Sequence, residues 1–139
     1  MNRQEILDFV HKNPTSFMAT VERGQPRVRG MQTPHVDDDG LVFCTGAQKN
    51  VCKQLQAADG AVELAYWNAE ENMMLRLRGR MTVVDSLELK KHIVETTFQF
   101  LKPIVAQHGY EVLTLFRLAS GEYRTWNGRN GGREETGTF

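Results

Sequence analysis

Apolar and polar side chains alternate one for one along several short stretches of this chain, and turn residues separate those stretches. A period of two is the mark of a strand with two unlike faces, and no other feature constrains the fold as much. In SFMATVE the alternation sets Phe17, Ala19 and Val21 on one face and Met18, Thr20 and Glu22 on the other. Arg23-Gly24-Gln25-Pro26 then turns the chain into RVRGMQ. Asp37-Asp38-Asp39-Gly40 is a second hairpin signal, and LVFCT follows it. AVELAYW, a turn at Asn68–Asn72 and the long MMLRLRGRMTVV come next, with Leu75 and Leu77 opposite Arg76 and Arg78. Gly79 inside that strand marks a bulge or a close backbone approach. VLTLFRL and EYRTW complete the set, hinged at Ser120-Gly121.

Between these strands the period changes to that of a helix. Residues 2–12 are amphipathic, with Asn2 and Glu5 spaced as a capping box and Ile6, Phe9 and Val10 on one face. Gly46–Ala58 carries a stripe of Val51, Leu55 and Ala58. A longer helix runs from Asp85 to about Leu101, and Pro103 breaks or restarts it before a cap at Gly109. About seven strands and three or four helices, mostly joined by hairpin links, predict a mainly β, α+β fold. The form expected is an antiparallel sheet or small barrel with helices packed outside it. No repeat or linker divides the 139 residues. One domain over residues 1–127 is expected, with the polar, glycine-rich residues 128–139 as a flexible tail.

Composition removes several functions. Lys plus Arg and Asp plus Glu each number 17, so the formal net charge is zero. General binders of nucleic acid or anionic membrane carry a basic excess, so neither partner is expected. No apolar run approaches the ~20 residues that span a bilayer. The N-terminal MNRQEILDFVHKN has acids inside its apolar stretch, unlike a signal peptide. Two cysteines in a chain of this length make no disulfide framework, so a reducing, cytoplasmic location is expected. Seven residues separate Cys44 from Cys52, and His11, His35, His92 and His108 are scattered singly, so no metal site is expected. The Asp37–Gly40 run lacks the ligand ladder of a calcium loop. No nucleophile elbow, P-loop or dinucleotide fingerprint is present.

Two cationic spots separated by a hairpin remain. Arg27 and Arg29 are two apart on a strand and point to one sheet face. Thr45 ends the strand beyond the hairpin and leads into a helix whose first turns hold Gln48, Lys49, Asn50 and Lys53. Helix N-termini present unpaired N–H groups and a partial positive charge. A threonine hydroxyl, those N–H groups, Lys49 and an arginine from the neighbouring strand suit a phosphate monoester. The alternative reading of the same residues is a solvated strand face beside a surface helix. Arg76, Arg78 and Arg80 form another basic stripe, read as a solvated outer face; Tyr66 and Trp67 are read as core and rim aromatics.

The ordered set FMATVERGQPRVRGMQTPHVDDDGLVFCTGAQKNVCKQL, AVELAYW and LRLRGRMTVVD resembles the FMN-binding split-barrel family typified by pyridoxamine 5′-phosphate oxidase. The nearest likeness is to its small, single-domain bacterial members, the general-stress and nitroimidazole-resistance-like flavoproteins. The resemblance covers about residues 4–120 and implies a six-stranded Greek-key split barrel. It also implies a homodimer with an FMN in each of two clefts between subunits. Carried over by position, Arg27 lies on the phosphate side and the backbone of Val28, Arg29, Gly30, Met31 and Gln32 runs along the ring. Cys44 and Thr45 follow on the far strand of the hairpin, with Lys49, Asn50 and Lys53 at the phosphate. Tyr123 and Trp126 lie near the terminus, where family members often cover the cofactor.

The chain departs from the vitamin oxidases in Gln32, where they carry Lys, and in a tail around Arg129 and Arg133 without the Arg-x-His signature. The resemblance therefore implies an FMN-dependent oxidoreductase for a small molecule that is not itself a pyridoxamine-phosphate oxidase. The alternative within the family is a non-catalytic flavin- or haem-binding module for stress or storage, and some relatives use a deazaflavin.

Overall fold

The structure, a computed structural model, describes residues 1–139. Ten strands form two sheets, and every pairing is antiparallel. In chain order the strands are β1 (Thr15–Glu22), β2 (Gln25–Gln32), β3 (His35–Asp37), β4 (Gly40–Gly46), β5 (Ala61–Asn68) and β6 (Met73–Arg80). Then follow β7 (Thr82–Val84), β8 (Leu113–Leu118), β9 (Gly121–Asn127) and β10 (Arg133–Thr138). The larger sheet has the order β10-β9-β6-β5-β1-β2 and the smaller β3-β4-β8-β7. Four α-helices flank them: α1 (Arg3–Lys12), α2 (Asn50–Ala57), α3 (Leu87–Thr96) and α4 (Lys102–His108). This is the expected antiparallel split barrel with helices outside it. No helix is long and apolar enough to cross a membrane.

The main core lies between the sheets. Met18, Leu64, Tyr66, Leu75 and Leu77 from the large sheet meet Leu41, Phe43, Phe116 and Leu118 from the small one. Helix α1 inserts Ile6, Leu7, Phe9 and Val10 into one opening, and its capping box forms as its spacing implies: Glu5 N donates to Asn2 Oδ1 and Asn2 N to Glu5 Oε2. Val51, Cys52 and Leu55 of α2 close another part of the core. A second cluster, Val42, Cys44, Ile93, Val94, Phe98, Leu113 and Leu115, lies on the other face of the small sheet under α3. Alternate residues of β4 thus serve different cores, which is why the strand is buried from Gly40 to Thr45.

Three strands exceed the seven read from sequence. The long strand expected over residues 73–84 divides at Met81, whose N–H bonds to Gly60 O, and its second part changes sheet as β7. Gly79, just before the division, fits the expected close approach: a Cβ there would lie 2.8 Å from both Leu118 Cδ1 and Ser120 O. Strand β3 pairs briefly with β4 across the Asp37–Gly40 hairpin.

The third extra strand corrects the expectation of a flexible tail. Residues 133–138 pair along the whole of β9. Gly137 permits this, because a Cβ there would lie 2.6 Å from the Tyr123 ring. Tyr123 in turn donates to Glu135, and the Met1 ammonium binds both groups. Glycine here allows close packing and does not signal mobility.

The helix read over Gly46–Ala58 is also shorter than expected. Gly46–Lys49 is a turn closed by Lys49 N to Gly46 O, and Lys49 is the N-cap residue. The helix expected from Asp85 to Leu101 ends at Thr96, and a tight turn over Gln99–Leu101 leads into α4 with Pro103 in its first turn.

Candidate functional site

Strand β2 is the last strand of the large sheet, so the backbone groups along its outer edge have no partner strand. Its side chains divide by parity. Arg27 and Arg29 share the inner face with Thr20 and Met18, their cross-strand neighbours on β1. Val28 and Gly30 stand on the outer face beside Ala19 and Phe17. That outer face is uncovered: Phe17 is 61% and Val28 69% exposed, and Val21 is exposed as well. The alternation in β1 is therefore real, but its aliphatic and aromatic side points away from the core and Ser16, Met18 and Thr20 point in.

An open cleft of ≈ 580 Å³ lies between β2 and the start of α2, lined by Arg27, Val28, Arg29, Lys49, Asn50 and Gln54 among others. The predicted arginine pair and the predicted helix start therefore meet. Lys49 makes no side-chain cap, which leaves its ammonium free and the first-turn N–H groups uncapped.

Arg29 is fixed in place. Its guanidinium donates to Gln54 Oε1 at 2.6 Å, Thr20 Oγ1 at 2.8 Å and Met18 O at 3.2 Å. Thr20 also donates to Gln54 Oε1, and Gln54 Nε2 donates to Glu22 Oε2 at 2.7 Å. Burial lowers the Arg29 pKa. Arg27 is freer, half exposed, with Glu22 3.8 Å away. Gln54 is the residue that sequence reading missed. It is 6% exposed and sits three residues after Val51, a polar group on the buried stripe of α2. That misplaced polarity is the signal that marks it.

The other predicted residues lie elsewhere. Lys53 lines a neighbouring cleft with Arg23, Asn50 and Gln54. Met31 is half-buried against the main core, and Gln32 and Gly30 are exposed. Thr45 is buried at the end of β4, outside the lining of the Arg27–Lys49 cleft. Cys44 points into the second core, where burial pushes its thiol up to about 11 despite the opposing charge of Lys90, so it is a protonated thiol at neutral pH. No cluster of three or more metal-ligating side chains exists.

The sequence profile described as pyridoxamine 5′-phosphate oxidase matches residues 3–126. The chain belongs to the pyridoxamine 5′-phosphate oxidase family. Solved structures share its fold at low identity. A NimC/NimA family protein from Clostridium acetobutylicum is 23% identical with a TM-score of 0.79, over 98% of this chain and 91% of that one. A protein related to general stress protein 26 from the same organism is 14% identical with a TM-score of 0.71, over 96% and 92%. A pyridoxamine 5′-phosphate oxidase-related FMN-binding protein from Nostoc punctiforme is 15% identical with a TM-score of 0.64, over 99% and 95%. No curated protein matches the chain. In the tail of this family member Arg129 is held by Glu70 O, and Arg133 begins β10 with no histidine near it in sequence.

Proposed function

We propose that this family member binds FMN, with the phosphate in the cleft between β2 and α2 and the ring along the free edge of β2. The observation that carries the reading is the convergence of Arg27, Arg29 and Lys49 on one cleft beside an uncapped helix start. A phosphate dianion is the natural complement of several cations and unpaired N–H groups. The strand edge suits a planar ring, since nothing lies within 4 Å of a Cβ built on Gly30.

FMN bound there supplies the electron transfer, from a nicotinamide or other reductant to a small acceptor. The chain's part is to seat the phosphate, orient the ring and exclude water. A second copy of the chain completes the slot in this reading and covers Phe17, Val21 and Val28. Action in the cytoplasm belongs to the same reading.

Titrating apoprotein with FMN and riboflavin tests the phosphate seat. FMN binds more tightly by at least tenfold, and equal affinities overturn it. Light scattering with flavin bound gives twice 15.8 kDa; a value near 15.8 kDa rejects the shared slot.

One observation favours a non-catalytic flavin- or haem-binding module instead. The only carboxylate in the cleft, Glu22, is engaged by Gln54 and faces Arg27, and no histidine lines it, so no free carboxylate or imidazole is at hand. Oxidation of reduced nicotinamide with quinone and nitroaromatic acceptors separates the two readings. Pyridoxamine 5′-phosphate is not expected to be turned over, because the tail brings no imidazole to the site and Arg129 is already engaged. Pyridoxal phosphate formation at ~1 per second or faster reverses that expectation.

A further inference from the structure

The cleft between β2 and α2 does not end at the helix start. A second open cleft, of ≈ 450 Å³, continues from it along α2, and the two share Glu22, Asn50 and Gln54. Its own cations are Arg23, in the turn between β1 and β2, and Lys53, whose N–H bonds back to Lys49 O one helical turn earlier. Of its lining only Val21 belongs to the outer face of the sheet. Glu22 is on the inner face, and the other residues are in that turn, on α2 or at its end.

Charge is unevenly placed here. The formal net charge of the chain is zero, yet the two clefts together are lined by five cations and a single carboxylate, Glu22. Elsewhere Arg76, Arg78, Arg80, Arg117 and Arg124 each face a carboxylate. No ion pair engages Arg23 or Lys53. Glu22 stands on the wall common to both clefts, where it accepts from Gln54 Nε2 at 2.7 Å. An FMN phosphate seated by Arg27, Arg29 and Lys49 leaves Arg23 and Lys53 without an anion, and unpaired cations lining a cleft draw one into it.

We propose that the cofactor site extends into this second cleft and takes a flavin diphosphate, FAD, whose FMN half occupies the seat already described. One phosphate then faces Arg27, Arg29 and Lys49, and the next faces Arg23 and Lys53. Each phosphate of a diphosphate diester carries one negative charge, so the charge that FMN concentrates on one phosphate is divided between two cationic seats. Glu22, beside the first seat, repels a dianion there more than a monoanion. Past Lys53 the cleft is lined by Ala57 and Ala58, whose small side chains leave room for the adenosine.

Because this extension rests on the flavin reading, the test sets two flavins against one protein. Apoprotein titrated calorimetrically binds FAD about tenfold or more tightly than FMN. Arg23→Gln and Lys53→Gln each weaken FAD about tenfold, the effect of one charge-assisted contact, and leave FMN affinity within about twofold of wild type, with far-ultraviolet circular dichroism unchanged. Lys49→Ala weakens both flavins. FMN bound as tightly as FAD, or FAD affinity that neither glutamine substitution lowers, overturns the extension and leaves the flavin reading standing. So does an equal loss of both flavins in the two glutamine variants, which assigns Arg23 and Lys53 to the first phosphate. Binding of neither flavin overturns both readings together.

Discussion

Arg29 and Arg124 stand on the same six-stranded sheet, near its opposite ends and on its opposite faces. Arg29 is held by three neutral oxygens, from Gln54, Thr20 and Met18. Arg124 faces another arginine and touches a carboxylate only at 3.8 Å. The neutral oxygens fix the Arg29 guanidinium without cancelling its charge, so the charge remains available to an incoming anion. The Arg124 guanidinium is half exposed and its charge is partly offset by Glu134, with no hydrogen bond to hold it. A fixed cation beside an uncapped helix start suits a ligand held tightly in one pose. An exposed, partly screened pair is held far less firmly.

Gln54→Leu tests that contrast most severely. It removes the acceptor shared by Arg29 and Thr20 and leaves a half-buried guanidinium and a buried hydroxyl short of partners. A loss of about 2–3 kcal/mol in urea unfolding is expected, together with weaker FMN binding. Unchanged FMN affinity in the folded variant breaks the link between fixing Arg29 and binding phosphate.

Lys49→Ala separates binding from stability. The side chain is exposed and makes no cap, so the unfolding midpoint stays put. FMN affinity falls by about tenfold or more, the effect of one charge-assisted contact. Arg27→Ala acts in the same direction, and Arg78→Ala, whose partner is Glu122, leaves flavin affinity unchanged. Flavin release by Arg78→Ala alone assigns the cofactor to the wrong face.

The same contrast explains what sequence could and could not disclose. Strand periodicity disclosed that Arg27 and Arg29 share a face, and hairpin signals brought them near Lys49; both rest on local geometry. The face of β1 that turns inward was not legible. Phe17, Ala19 and Val21 outscore Met18 and Thr20 in apolar character, yet they face out, because the surface they leave open is decided by what covers it. Gln54 was hidden by the helical stripe it interrupts. Cys44 packs into the second core and Thr45 is buried at the end of β4, so a run read as site-lining supplies mostly packing. In the tail, the composition is polar enough to suggest disorder, while β9 just upstream offers a free edge for it to join.

A third arginine sharpens the comparison through pH. Arg117 donates two hydrogen bonds to Asp37, which also faces His35 Nε2 at 3.1 Å. Burial works to raise the Asp37 pKa, but the Arg117 contacts, the Asp39 N–H and His35 outweigh it and hold the carboxyl below its ordinary value. A carboxylate depressed in the folded state contributes stability that is fully present above its unfolded pKa near 3.8 and is lost as pH falls through the folded value. Partial exposure limits the contribution to less than ~1 kcal/mol. Asp37→Asn should therefore lower stability at neutral pH by that small amount and flatten the acid side of the stability profile. A profile that matches wild type at neutral pH and falls with the same slope toward acid removes the ion pair from the account.

Arg124→Gln is the smallest effect and the most diagnostic of the loose pair. Removing the guanidinium loses an exposed contact with Glu134, worth ~0–1 kcal/mol. It also relieves the cross-strand repulsion from Arg76, worth ~0.2–1 kcal/mol with the opposite sign. The two offset each other, so the unfolding free energy stays within ~0.5 kcal/mol of wild type. Both contributions are exposed and both are screened by salt, so whatever difference remains at low ionic strength shrinks toward zero at 1 M, where the Debye length is ~3 Å. The fixed arginine behaves otherwise: hydrogen bonds to neutral oxygens carry little salt dependence, so the loss in Gln54→Leu persists across the same range. Urea midpoints of the two variants at low and high salt read this directly. A loss above ~1 kcal/mol in Arg124→Gln, undiminished by salt, would mean that Arg124 is as firmly held as Arg29 and that the two ends of the sheet are electrostatically alike.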